Sequence, residues 1–164
     1  MDTESARAFY LDYLDTVYHR RQIRELDRFF SKDLVVHPPF PGALDFAGVK
    51  AAAAALLDTF SDCRLVPETF VYANGMLASR LVCSGTYAGR YFGVGPSGHR
   101  IDVIAHPQYR VQNGKFVELW DCTDMLGLIR QIGEASFPRV SSTVRRVRRG
   151  VAWLQGTKKE SAHV

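Results

Sequence analysis

The dominant hydrophobic period of this chain changes near residue 62, and that change constrains the fold more than any other feature. Before it, apolar residues recur at helical spacing. Ala6, Phe9, Tyr10, Tyr13, Leu14 and Val17 form one heavily aromatic stripe, which predicts a helix over residues 3–20. A short helix over residues 24–30 follows, with Leu26, Phe29 and Phe30 as its apolar side. Residues 34–37 read as a strand stopped by Pro38-Pro39, because proline supplies no ladder donor. Asp45 is placed to cap a third helix running through Phe60, with Val49, Ala52, Ala53, Leu56, Leu57 and Phe60 turned inward.

After residue 62 the pattern reads as strands at 64–72, 76–87, 101–111 and 115–123. Asn74-Gly75 and Asn113-Gly114 mark turns, and the glycine-rich stretch 89–98 reads as a longer loop. A closing helix over 125–132 is expected to stop at Gly133. Helices first and a meander of strands after is an α+β order, with helices packed on one face of the sheet. A sheet that curls around those helices leaves a pocket between them.

Charge separates the chain into two parts. The net charge is +4, from 21 Lys and Arg against 17 Asp and Glu, yet residues 138–164 hold seven of the bases and a single acid, Glu160. What remains, fourteen bases and sixteen acids, is mildly acidic. The basic character thus belongs to a tail, and a nucleic-acid partner is not expected. Residues 1–135 read as one domain and 136–164 as a basic C-terminal tail, partly helical or disordered, where Val140, Val144, Val147, Val151 and Leu154 keep helical spacing. Cys63, Cys83 and Cys122 are odd in number and widely spaced, so they read as core thiols rather than as a disulfide or metal framework. No apolar run approaches the roughly 20 residues of a membrane span, and the opening residues lack the layout of a signal peptide. No membrane association and a cytoplasmic location are therefore expected.

Strand alternation selects the pocket face. Along 101–111 the odd positions Ile101, Val103, Ala105, Pro107, Tyr109 and Val111 are the apolar ones and should turn inward. On the next strand Val117 and Leu119 match them, and Asp121 follows on the same face, a carboxylate among aliphatic side chains. Burial disfavours the charged form, so its pKa should rise, which suits a group that takes and returns a proton. A two-residue turn at Asn113-Gly114 places His106 opposite Asp121, whereas a turn with Gly114 as a bulge places Ala105 there. His106 is kept as a candidate partner. Ile104, Phe116 and Trp120 fall on the outer face and offer a surface for a homodimer or higher homo-oligomer.

These residues resemble the SnoaL-like polyketide cyclase family, which shares a cone-shaped fold with ketosteroid isomerase and the limonene epoxide hydrolases. The resemblance rests on His37-Pro38, the run Gly89-Arg90-Tyr91-Phe92-Gly93-Val94-Gly95-Pro96-Ser97-Gly98, Tyr109-Arg110-Val111 with Gly114-Lys115, Trp120-Asp121, and Gly127-Leu128-Ile129-Arg130-Gln131-Ile132-Gly133. It spans most of the chain up to Gly133. It implies a cone-shaped barrel, a curved antiparallel or mixed sheet wrapped around N-terminal helices and enclosing one apolar pocket. It also implies an enzyme that closes a ring in a polyketide-derived intermediate of antibiotic-type secondary metabolism, of lyase or isomerase type, with neither metal nor organic cofactor. Asp121 would be the acid–base residue, aided by His106 and His37. A hydrophobic small-molecule substrate would lie against Phe9, Tyr13, Val36, Tyr87, Phe92, Ala105, Pro107, Tyr109 and Leu119. Aldol-type members carry glutamine, histidine and asparagine where this chain has Ala105, Pro107 and Val36. Those replacements imply a greasier pocket, suited also to ring closure driven by conformation, such as a cycloaddition.

Two other classes fit the sequence. Epoxide hydrolysis or epoxide-opening cyclisation uses two aspartates bridged by an arginine, and Arg100, Asp102 and Asp121 supply the types, although Asp102 falls on the other alternation. A ligand-binding module that keeps the fold without turnover is the third, since fold does not fix function.

Overall fold

The computed structural model describes residues 1–39, 44–90 and 94–136; Phe92 and the basic tail from residue 137 lie outside the described residues. Helix α1, Thr3–Leu14, begins where the Asp2 carboxylate accepts from the Ser5 N–H at 2.8 Å, and it buries Ala6, Tyr10, Tyr13 and Leu14. The helix does not continue regularly to Arg20. Its last turn widens into a π-helix, Asp15–His19, in which the Arg20 N–H bonds to the Asp15 carbonyl. A 3₁₀ turn at Ile23–Glu25 and the single-turn helix α2, Leu26–Phe29, lead into strand β1, Phe30–His37, which starts four residues earlier than its apolar pattern suggests.

Helix α3, Phe46–Thr59, is capped as expected, the Asp45 carboxylate accepting from the Gly48 N–H at 2.8 Å. Loss of an N-cap typically costs about 1 kcal/mol. Asp45→Ala is accordingly expected to lower the free energy of unfolding by about that amount in urea titrations, with an unchanged slope; no change would mean that the cap contributes nothing.

The strands β2 (Arg64–Ala73), β3 (Met76–Thr86), β4 (Arg100–Ala105), β5 (Gln108–Gln112) and β6 (Lys115–Trp120) join β1 in one mixed sheet. Its order is β1-β6-β5-β3-β2, with β4 also on β3; β1 and β6 run parallel and every other pair is antiparallel. The sheet curves but does not close, since β1 and β2 are its two ends. The segment read as one strand over 101–111 is two. Pro107 has no N–H to give, the His106 N–H turns to the Cys122 carbonyl at 3.1 Å, and β4 and β5 consequently pair with different halves of β3.

Asn113 and Gly114 both have positive φ, 50° and 72°, so they form a two-residue hairpin joining Gln112 to Lys115. A bulge lies one step further on, at Val117: Val111 pairs with Phe116, but Arg110 pairs with Glu118 and Tyr109 with Leu119. Continuing that register brings Pro107, rather than His106 or Ala105, towards Asp121. The same bulge corrects the face of Phe116. Expected outside, it is fully buried, its ring 4.4 Å from Tyr109 and 4.9 to 5.5 Å from Phe9, Phe30 and Tyr13.

Helix α4, Met125–Ser136, is capped by Asp124, whose carboxylate accepts from the Gly127 N–H, and it runs through Gly133 instead of stopping there. The Gln131 side chain clamps it to the edge strand β4, accepting from the Asp102 N–H and donating to the Asp102 carbonyl. Among the described residues no helix is long and apolar enough to cross a membrane.

Candidate functional site

One cavity of about 220 Å³ lies between the concave side of the sheet and the helices. Its back is Tyr13, Leu14 and Tyr18 from the first helical segment; α3 contributes Val49, Ala52, Ala53 and Leu56; α4 contributes Met125 and Leu128; the strands contribute inward residues that include Val36, Ala105, Tyr109, Leu119 and Asp121. The surface is mainly apolar, and among the described residues that line it Asp121 is the single carboxylate.

Asp121 is held where β6 ends. Its backbone N–H donates to the His37 carbonyl at 2.9 Å, which extends the parallel pairing of β1 with β6 by one bond. The carboxylate Oδ1 accepts from the Thr123 hydroxyl at 2.7 Å. Burial raises the carboxyl above the ordinary aspartate range, and the Thr123 hydrogen bonds pull it only part of the way back. A carboxyl in this setting is poised for proton transfer.

Of the residues proposed from sequence, Tyr13, Val36, Ala105, Pro107, Tyr109, Leu119 and Asp121 line this cavity together. His37, His106, Phe9 and Tyr87 do not. His37 follows the buried Val36 and so points outward, its ring stacked 5.1 Å from Trp120 with Nε2 3.0 Å from a Glu118 oxygen. His106, between inward-facing Ala105 and Pro107, is exposed by the same alternation. Phe9 packs behind the pocket on Phe29 and Phe116. Tyr87 is wholly buried beside Phe60, its hydroxyl donating to the Val94 carbonyl at 2.7 Å. The cysteines also divide: Cys63 and Cys83 line the cavity, both pushed up by burial, to about 11 and about 12, while Cys122 is exposed.

Three polar residues of the site, Thr123, Tyr18 and Ser84 of β3, escaped the sequence reading. Thr123 lies two residues beyond Asp121, so strand alternation was the available signal. Tyr18 has no such signal, because it falls off the α-helical stripe. The π-turn widens the spacing so that residues five apart share a face, and the Tyr13 and Tyr18 hydroxyls meet at 3.1 Å.

Among the described residues that line the cavity there is no second carboxylate of the kind epoxide opening requires. Asp102 is exposed on the outer side of β4, where it sits 3.7 Å from Arg100. A half-buried carboxyl at the end of a greasy concave sheet is therefore what the fold presents.

Solved structures share this architecture. AclR from Streptomyces galilaeus, a candidate hydroxylase, superposes with a TM-score of 0.74 at 22% identity over 81% of this chain and 87% of its own. TsrD from Streptomyces laurentii gives 0.71 at 27% identity over 81% and 98%, and IdmH from Streptomyces antibioticus, a candidate polyketide cyclase, 0.68 at 20% over 77% and 97%. A search of curated proteins finds no match. The model of the SnoaL-like polyketide cyclases matches residues 8–132, a span that runs from the second half of α1 through most of α4 and takes in every described residue lining the cavity; the chain belongs to that family.

Proposed function

We propose that this protein closes a ring in a neutral, carbonyl-bearing intermediate of polyketide type, with Asp121 as the acid–base group. The single observation that carries the reading is the placement of one carboxyl group, raised by burial and steadied by Thr123, in an otherwise apolar cavity. In its charged form Asp121 takes a proton from a carbon flanked by carbonyls. The resulting enolate attacks a second carbonyl to form the new carbon–carbon bond, and the protonated carboxyl returns its proton to the alkoxide. The cavity wall contributes by folding the substrate so that the two carbons meet, which replaces an encounter by an internal reaction.

Val36, Ala105 and Pro107 make the wall around Asp121 apolar where aldol-type relatives have polar groups. That favours, as a second reading, ring closure driven mainly by the shape imposed on the substrate. The two differ in how far activity depends on Asp121.

The test is conversion of an acyclic 1,3-dicarbonyl ketone to its cyclised product, followed by chromatography and mass spectrometry. Ala52→Trp is the first variant to compare. Ala52 lines the cavity from an exposed position on α3, so an indole there fills space without disturbing the core. We expect turnover and ligand binding to be lost with little change in melting temperature; normal turnover in a folded Ala52→Trp protein rejects this cavity as the site.

A further inference from the structure

We propose that the basic tail folds back on α4: residues 140–154 form a helix antiparallel to it, whose valine seam covers Leu126, Ile129 and Gly133. The proposal is independent of how the cavity is used. It begins from the two faces of α4. One is pinned, because Leu128 and Ile132 are buried and the Gln131 side chain is hydrogen-bonded to both backbone groups of Asp102. The other carries Leu126 at 78% exposure and Ile129 at 49%, and the pinned face prevents the helix from rolling to bury them.

Gly133 is next along the same line. A Cβ there would meet no described atom within 4 Å, so nothing among the described residues accounts for a helix-weakening glycine at that place. A helix packed closely on this face would account for it, since glycine lets a backbone approach. The steps from Leu126 to Ile129 to Gly133 are three and then four residues, the seam period along which two helices pack at a small crossing angle.

The chain itself supplies the complement. Beyond α4 it continues to Val164, and Val140, Val144, Val147, Val151 and Leu154 recur at alternating steps of four and three, the same seam period. Arg145, Arg146, Arg148 and Arg149 fall off that seam. A helix of this length is marginal by itself in water and needs a surface for its apolar stripe. Pro138 interrupts the helical path after α4, because the residue before a proline is pushed out of helical conformation. Residues 137–139, the only connection, reach about 10 Å at full stretch, close to the spacing of two packed helices. A helix starting at Val140 therefore begins beside the end of α4. Folding back sets Val140 and Val144 against Gly133, Val147 towards Ile129 and Val151 against Leu126. The other side of α4 gives Met125 and Leu128 to the cavity, so the tail steadies that wall from behind.

The test is amide hydrogen exchange of the full-length protein, read by mass spectrometry. In wild type, residues 140–154 are expected to exchange at least roughly tenfold more slowly than the same sequence as a free peptide, and to keep that protection on dilution. The double variant Leu126→Glu with Ile129→Glu changes two exposed positions, so unchanged protection of β3 verifies the fold while the tail returns to the peptide rate. The reciprocal variant, Val144→Glu with Val151→Glu, alters no described residue, and glutamate favours helix more than valine does. It should release the tail and speed exchange in α4. Arg146→Glu with Arg149→Glu, a larger change of charge off the seam, should leave protection in place. A wild-type tail exchanging at the peptide rate overturns the proposal, as does protection that survives both seam variants or is lost equally in the off-seam one. Protection that vanishes on dilution as sedimentation shows a dimer dissociating also overturns it, by assigning the face to a second copy.

Discussion

Asp121→Asn is expected to lower ring-closing turnover by roughly 10²- to 10⁴-fold, the usual contribution of a positioned acid–base group, while raising the melting temperature at pH 7. Both follow from the same buried carboxyl. Its pKa in the folded chain is raised, so folding favours the protonated form. Below the pKa of an unfolded aspartate both states are protonated and nothing is lost. As pH rises through the higher folded value, ionising the buried group removes stability that the neutral asparagine keeps. The gap in melting temperature between variant and wild type should therefore be widest at neutral pH and close as the solution is acidified. Proton abstraction needs the charged form, so the acid limb of kcat/KM should fall through that raised value. Undiminished turnover, or a wild type that becomes the more stable protein as pH rises, contradicts this account.

Phe116→Ala should have the largest effect on stability, about 3–5 kcal/mol, as for an aromatic removed from a close-packed core. Phe116 is inaccessible to solvent and is the ring that α1, β1 and β5 all meet, through Phe9 and Tyr13, Phe30, and Tyr109. Equilibrium denaturation measures it directly. A loss below 1 kcal/mol would mean that the neighbouring rings close over the space. Tyr13 and Tyr109 belong to both this cluster and the cavity lining, so the pocket's back wall should soften too, visible as weaker ligand binding in the folded fraction.

The contrast between Phe116 and Asp121 shows what the sequence could and could not convey. The period change near residue 62, the Asp45 cap and the positions of most strands were legible because each depends on local spacing or on one side-chain type. The inward face of β4 was equally plain, since Ile101, Val103 and Ala105 are all apolar while Arg100, Asp102 and His106 fall on the other alternation, Ile104 being its one apolar member. What failed were irregularities of one residue. The bulge at Val117 moved Phe116 to the inside while leaving Leu119 and Asp121 on the expected face. The π-turn at Asp15–His19 similarly brought in Tyr18, which a regular helix would have turned elsewhere. Each extra residue changes which face a side chain takes, and nothing in apolar periodicity announces where it is inserted. His37 and His106 were proposed for their chemistry, but alternation beside Val36 and between Ala105 and Pro107 had already assigned them to the outside. Gly133 shows the converse: a residue that often ends helices is carried through α4 at a cost of about 1 kcal/mol.

The parallel junction of β1 and β6 also governs when the buried carboxyl can be in place. His37 and Glu118, neighbours across it, are 81 residues apart in the chain, and the amide of Asp121 is fastened to the backbone of His37. Contacts of such long range are entropically slow to make. During synthesis α1, α2, α3 and the β2–β3 hairpin leave the ribosome well before β6, so the nascent chain holds much of the cavity's apolar lining before the Asp121 carboxyl is made. The carboxyl enters the cavity only after the final strand.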